Sequence, residues 1–185
     1  MGGVLPSGYT RLDYITSNGA YINANLQTAL PYTYEADVMW ASFGSRGLFG
    51  ANGGNFFGVN NYGYWQNGQA AQTNTGVQAV ELQWYKVRQE AEATGSGRSN
   101  YLYIDGTKIG SHNPSYTQNN ICIFASSAGS NIASTASCKY FKIWLEGVLV
   151  RHFIPCIDPN NIVGMYDLVN DVFYGSANST NFNGQ

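Results

Sequence analysis

The sequence predicts an all-β fold, an antiparallel β-sandwich of the jelly-roll kind, on three observations. Several segments alternate apolar and polar residues with period two, about a dozen short strand-like runs are punctuated by Gly and Asn, and no stretch reads as a long helix. A single domain over residues 1–185 is expected, because no linker, charge block or internal repeat interrupts the pattern.

Taken in order, Tyr32–Trp40 alternates most clearly, with Tyr34, Ala36, Val38 and Trp40 on one face and Glu35, Asp37 and Met39 on the other. Gly47–Gly50 and Asn55–Val59 read as short strands. Asn60-Asn61 then reads as a turn into Tyr62–Trp65, because Asn tolerates the left-handed conformation. Residues 77–92 carry helix-forming Ala, Glu and Gln, yet Trp84, Tyr85 and Val87 favour β, so a strand is expected from about Trp84 to Ala91. Three hairpins follow, turning at Asp105-Gly106, Glu146-Gly147 and Asn170-Asp171. In the second, Phe141, Ile143, Val148, Val150 and Phe153 are expected to face inward, and Pro155 to end the strand. In the third, Met165, Leu168 and Phe173 are expected to pack the closing hairpin.

Composition narrows the function. Charged residues make up 11% of the chain, less than half the ~25% of an ordinary soluble domain. A net charge of −2 gives no electrostatic basis for gripping nucleic acid. No apolar run reaches the ~20 residues that span a bilayer, and the opening residues lack the basic and apolar regions of a signal peptide. Aromatic residues at 15% argue against disorder. Cys122, Cys138 and Cys156 match no zinc spacing, and the reading is of free, buried thiols, with one disulfide as the alternative.

LPSGYTRLDYITSNGAYINANL at Leu5–Leu26 resembles the opening of laminin-G-like, concanavalin A-like modules of the lectin and glucanase type, found in structural proteins of phages and prophages of gut bacteria. YFKIWLEGVLVRHFIPC (Tyr140–Cys156) and IVGMYDLVNDVFYGSANSTNF (Ile162–Phe182) resemble their end. Trp84-x-x-Val87 and LYIDGTKIG (Leu102–Gly110) are similar to the middle strand and hairpin, whereas residues 41–80 match only in general character. The resemblance implies a virion-associated module that decorates capsid or tail, made in the bacterial cytoplasm and extracellular in the mature particle. Little chain lies outside the matching ends, so a small decoration protein is expected rather than a whole fibre.

Three chemistries suit the residues. Glu35-x-Asp37-x-Met39 resembles the E-x-D-x-E strand of concanavalin-like retaining glycosidases, but a thioether replaces the third carboxylate. Catalysis is therefore not expected, and no Ser-His-Asp pattern surrounds His112 or His152. No cofactor is required, although calcium takes oxygen ligands of the sort found at Asp158, Asn160 and Asn161 and at Asp167, Asn170 and Asp171. The turns themselves also account for those residues.

Carbohydrate binding rests on Asn60, Asn61, Tyr62, Tyr64, Trp65 and Gln66, where rings that stack on sugar C–H faces adjoin amides that bond to hydroxyls. Alternation separates Tyr62 and Tyr64 from Trp65, so they do not all share one platform. The expected function is a non-catalytic virion module that binds glycans or host-surface polysaccharide. Other virion proteins, or further copies of the chain, are partners. A purely structural subunit with protein partners is the first alternative, and a polysaccharide-degrading glycoside hydrolase the second.

Overall fold

The computed structural model describes residues 4–43, 47–51, 55–68, 74–94, 97–112, 118–126 and 135–185. The strands are β1 (Thr10–Arg11), β2 (Ile15–Thr16), β3 (Ile22–Gln27), β4 (Tyr32–Trp40), β5 (Gly47–Ala51), β6 (Asn55–Val59), β7 (Tyr64–Asn67), β8 (Asn74–Gln78) and β9 (Tyr85–Thr94). They continue with β10 (Gly97–Ile104), β11 (Thr107–His112), β12 (Asn120–Ile123), β13 (Ala136–Leu145), β14 (Val148–Ile157), β15 (Val163–Asp167), β16 (Val172–Tyr174) and β17 (Asn183–Gly184). Among the described residues there is no helix, as the sequence led us to expect.

Two antiparallel sheets form the sandwich. The larger runs β11-β10-β9-β4-β13-β14-β15-β16, with β1 on β14 and with β2 joining β13 to β17; the smaller runs β3-β12-β5-β6-β7-β8. Between them lies an aromatic core. Trp65 meets both Trp40 and Tyr85 edge-on, each at 5.3 Å, and Phe49 stacks on Phe57 at 5.3 Å. Such rings carry the largest buried areas available to a sandwich this size.

The alternation of β4 holds as read: Tyr34, Ala36, Val38 and Trp40 are fully buried, while Glu35, Asp37 and Met39 face away from the core. The hairpin turns also fall where expected, with positive φ at Asp105 and Gly106, at Glu146 and Gly147, and at Asp171. Cys122, Cys138 and Cys156 are free and buried. Burial pushes the Cys122 thiol up to about 11 and Cys156 up to about 12.

Two local expectations are corrected, and the packing of the closing hairpin gains detail. Pro155 does not end its strand, since β14 continues to Ile157. The Pro155 carbonyl accepts from Leu12 N, so its nitrogen also points toward β1 and the β14–β15 ladder loses no donor. Val148 is 63% exposed rather than buried, because it pairs with Leu145 directly after the Glu146-Gly147 turn, at the tip of the hairpin. Leu168 and Phe173 pack on the other side of the large sheet from the main core, against Ile154, Cys156 and Tyr166. Leu5 and Tyr9 join this second cluster, so the N-terminal segment covers the outer face of β14 and β15. Among the described residues no such cluster covers the outer face of β10, β9, β4 and β13.

Candidate functional site

Register places the charged side chains of this open face in rows. Glu35 on β4 lies opposite Arg88 on β9 and Lys142 on β13, and Asp37 lies opposite Lys86 and Tyr140. Beyond them, Tyr103 on β10 faces Arg88, and His152 on β14 faces Lys142. Side chains opposite each other on one face come within ~4.5–5.5 Å at Cβ, which brings these groups into contact.

Glu35 is the floor of the arrangement, with its side chain only 13% exposed. Its Oε1 accepts from the Tyr140 hydroxyl at 3.1 Å, with Lys86 Nζ at 3.8 Å and Lys142 Nζ at 4.0 Å. Those two distances are ion-pair contacts, too long for hydrogen bonds, so both ammonium groups keep donors for something else. Asp37 Oδ1 is shielded from solvent and takes no hydrogen bond among the described residues. Burial, then the charges of Asp37 and Glu35, hold the Tyr140 phenol well above its ordinary range. Burial and the nearby Lys142 and Arg11 cations depress the His152 imidazole. A neutral hydroxyl, two carboxylates and two ammoniums thus converge on one patch, an arrangement suited to hydrogen-bonding a polar ligand.

Two depressions open on this face. One, of about 470 Å³, is lined by Glu35, Lys86, Arg88, Tyr103, Asp105 and Gly106. The other, of about 210 Å³, is lined by Thr33, Glu90, Glu92 and Gly147 with Pro31, Tyr32 and Ala91. Arg88 Nε meets Glu90 Oε1 at 2.7 Å between them. Lysines already lie over several rings: Lys108 over Tyr101 at 3.9 Å, Lys139 over Trp84 at 4.2 Å and Lys142 over Tyr140 at 5.1 Å.

The segment on which the sequence placed carbohydrate binding comes apart in space. Trp65 is fully buried between Trp40 and Tyr85, and Gln66 is 2% exposed, so neither reaches a sugar. Both are corrections with one cause: β6 and β7 are covered on both faces, and alternation no longer marks an outside there. Asn60 does not turn the chain by a left-handed backbone. Its Oδ1 accepts from Tyr62 N and Tyr64 N, while Gly63 takes the positive φ of 79°, with the Phe43 ring where a Cβ would stand. Asn61 and Tyr62 are exposed and Tyr64 is half-buried, which leaves a turn tip rather than a platform. Gln69 and residues 113–117 lie outside the described residues.

The calcium candidates are occupied by their own turns. Asp158 Oδ1 accepts from Asn160 N and Ile162 N, and its Oδ2 from Asn160 Nδ2. Asp167 is fully buried; Oδ1 accepts from His152 N and Val169 N, Oδ2 from Asn170 Nδ2, and Arg151 Nε is 3.4 Å from Oδ2. Asn161 and Asp171 stand at positive φ in these turns. Among the described residues no three His, Cys, Asp or Glu side chains gather as a metal site would require. His152 faces away from Arg151, as alternation required, and lies near the Tyr140 ring at 6.5 Å.

The residues that build the open face, Lys86, Arg88, Glu90, Glu92, Tyr140 and Lys142, were not singled out from sequence. A signal for part of them exists in Lys86-Val87-Arg88-Gln89-Glu90-Ala91-Glu92, where charges recur at every second position.

No protein-family model matches the chain, and neither does any curated protein sequence. Among solved structures it is similar to the native heptameric SAP-like pentraxin from Limulus polyphemus, with a TM-score of 0.41 and 10% identity over 77% of this chain and 74% of that chain. No residue role is carried over from that likeness.

Proposed function

We propose that this chain is a non-catalytic carbohydrate-binding module whose ligand lies on the open face of the large sheet. Decoration of a capsid or tail that meets host or environmental polysaccharide is the setting implied by the family resemblance. The observation that carries the reading is the larger depression over β9 and β4, lined by Glu35, Lys86, Arg88 and Tyr103, with Tyr140 bonded to Glu35 beside it. Sugars need convergent donors and acceptors beside ring edges, and here they stand together on rigid strands. The absence of turnover rests on Met39, which stands where the glycosidase strand carries its third carboxylate.

The test is a glycan and bacterial-polysaccharide array, run with calcium and with chelator, on the wild type and on Glu35→Gln, Arg88→Ala and Tyr62→Ala. Binding that is lost in the first two variants and kept in the third supports the reading. Loss only in Tyr62→Ala moves the site to the Asn60–Tyr64 turn. Release of reducing ends from a polysaccharide by the wild type, abolished in Glu35→Gln, overturns the non-catalytic assignment. A blank array with folded protein favours the structural-subunit reading, for which the lysine-covered rings are the supporting observation.

A further inference from the structure

Register puts rings on both sides of the seam between β4 and β9. On β10, Tyr103 and Tyr101 stand opposite Arg88 and Glu90; on β13, Tyr140 and Trp144 stand opposite Asp37 and Thr33. All four rings are half-buried. β10 and β13 lie three strand spacings apart, roughly 14 Å, with β9 and β4 as the floor between them. Both depressions lie in line on that floor, the larger against Lys86, Arg88 and Glu35, the smaller against Glu90, Glu92 and Thr33. From Lys86 to Glu92 the floor runs for roughly 20 Å.

The hairpin tips at the two ends of this trough carry no side chain. Gly106 lines the larger depression and Gly147 the smaller, and a Cβ at either would meet no atom of the described residues within 4 Å. A chain lying along the seam can therefore run out past both turns.

The cations of this face already have counterparts within the fold. Arg88 Nε meets Glu90 Oε1 at 2.7 Å, Lys86 and Lys142 flank Glu35 at 3.8 Å and 4.0 Å, and Lys108 and Lys139 lie over Tyr101 and Trp84. A carboxylate or phosphate on a ligand would have to displace one of these partners, and it would meet Glu92 at the far end. A hydroxyl makes no such demand. It accepts from the ammonium N–H groups and donates to the carboxylates while the pairs stay in place.

We infer that the carbohydrate held on this face is an uncharged polysaccharide, bound along an internal stretch that lies parallel to β4 and β9 between the two ring walls. The inference rests on the carbohydrate reading above and names its ligand class and its mode of binding. Sugar C–H faces meet the rings of β10 and β13, hydroxyls meet the paired charges of the floor, and the chain ends take no part.

Affinity electrophoresis tests the class. The gels hold mixed-linkage β-glucan, galactomannan or arabinoxylan (neutral), polygalacturonate or hyaluronan (anionic), or chitosan (cationic), and any polysaccharide positive on the array joins the set. At least one neutral polymer should retard the protein, changing less than about twofold in high salt, and no charged polymer should match it. Sedimentation with that polymer at two chain lengths tests the mode. Copies bound per chain should rise in proportion to length, whereas recognition of a chain end gives a fixed number. Tyr101→Ala and Trp144→Ala should each weaken retention about tenfold. The wild-type measurements stand whether or not those variants fold.

Equal or stronger retention by a charged polymer overturns the inference and leaves the carbohydrate reading standing. So does a fixed number of copies per chain, retention that collapses in salt, or binding on the array to short terminal glycans alone. A blank in every gel and on the array removes the carbohydrate reading itself.

Discussion

The Tyr140 hydroxyl donates to Glu35 Oε1 at 3.1 Å, joining β13 to β4 across the open face. Their strands are paired, but the residues directly opposite are Tyr140 with Asp37 and Lys142 with Glu35, so the bond runs diagonally between two rows. The bulge between Cys138 and Tyr140 marks where this pairing shifts. Tyr140→Phe removes the bond and keeps the ring. It should lower the unfolding free energy by about 1 kcal/mol in urea titration.

Trp65→Ala should destabilise the fold by about 3–5 kcal/mol, because it leaves a ring-sized cavity between Trp40 and Tyr85. Tyr62→Ala should stay within about 0.5 kcal/mol, since that ring is 76% exposed. Paired chemical denaturation curves check both, and similar losses would refute the core assignment of Trp65.

Asp167→Ala should cost about 3–5 kcal/mol. It strands the Arg151 guanidinium, whose side chain is 15% exposed, and removes the acceptor of His152 N and Val169 N. Asp171→Ala, at an exposed turn position, serves as the comparison. A small loss in Asp167→Ala would show that the turn closes without its carboxylate.

His152 gives the fold a dependence on acid. Its imidazole is depressed by burial and by Lys142 and Arg11, so the unfolded chain takes up its proton first as pH falls. Its contribution is present above the unfolded value of about 6.5 and is lost as pH drops toward the folded value. Thermal melts should show stability declining below about pH 6.5 in the wild type and a flatter profile in His152→Gln.

Much of the scaffold was legible because its strands are half-buried. On β4 and β9 one face meets the core and the other meets solvent, so Tyr34 and Val87 are apolar where Glu35 and Arg88 are charged. Strands covered on both faces were illegible by the same rule. Asn55, Gln66 and Asn67 are polar and yet buried. They are tolerated inside because partners are close: Asn67 Nδ2 donates to the Asn100 carbonyl at 3.0 Å, and Gln89 Nε2 to Asn67 Oδ1 at 2.8 Å and to the Phe56 carbonyl at 2.7 Å. Nothing local distinguishes such an amide from one at the surface.

By itself the sequence determined the all-β class, the three later hairpin turns and the inward face of β4, because each depends on backbone preference or a two-residue period within one segment. Tertiary structure alone decided that Trp65 is core and that the Asn60 turn is a tip. It also decided that Glu35, Lys86, Arg88, Tyr140 and Lys142 share one face, although Glu35 and Tyr140 stand 105 positions apart. The physical reason is register: which strands neighbour one another, and at what offset, is set by how two sheets bury their aromatic faces together, and no single segment contains that information.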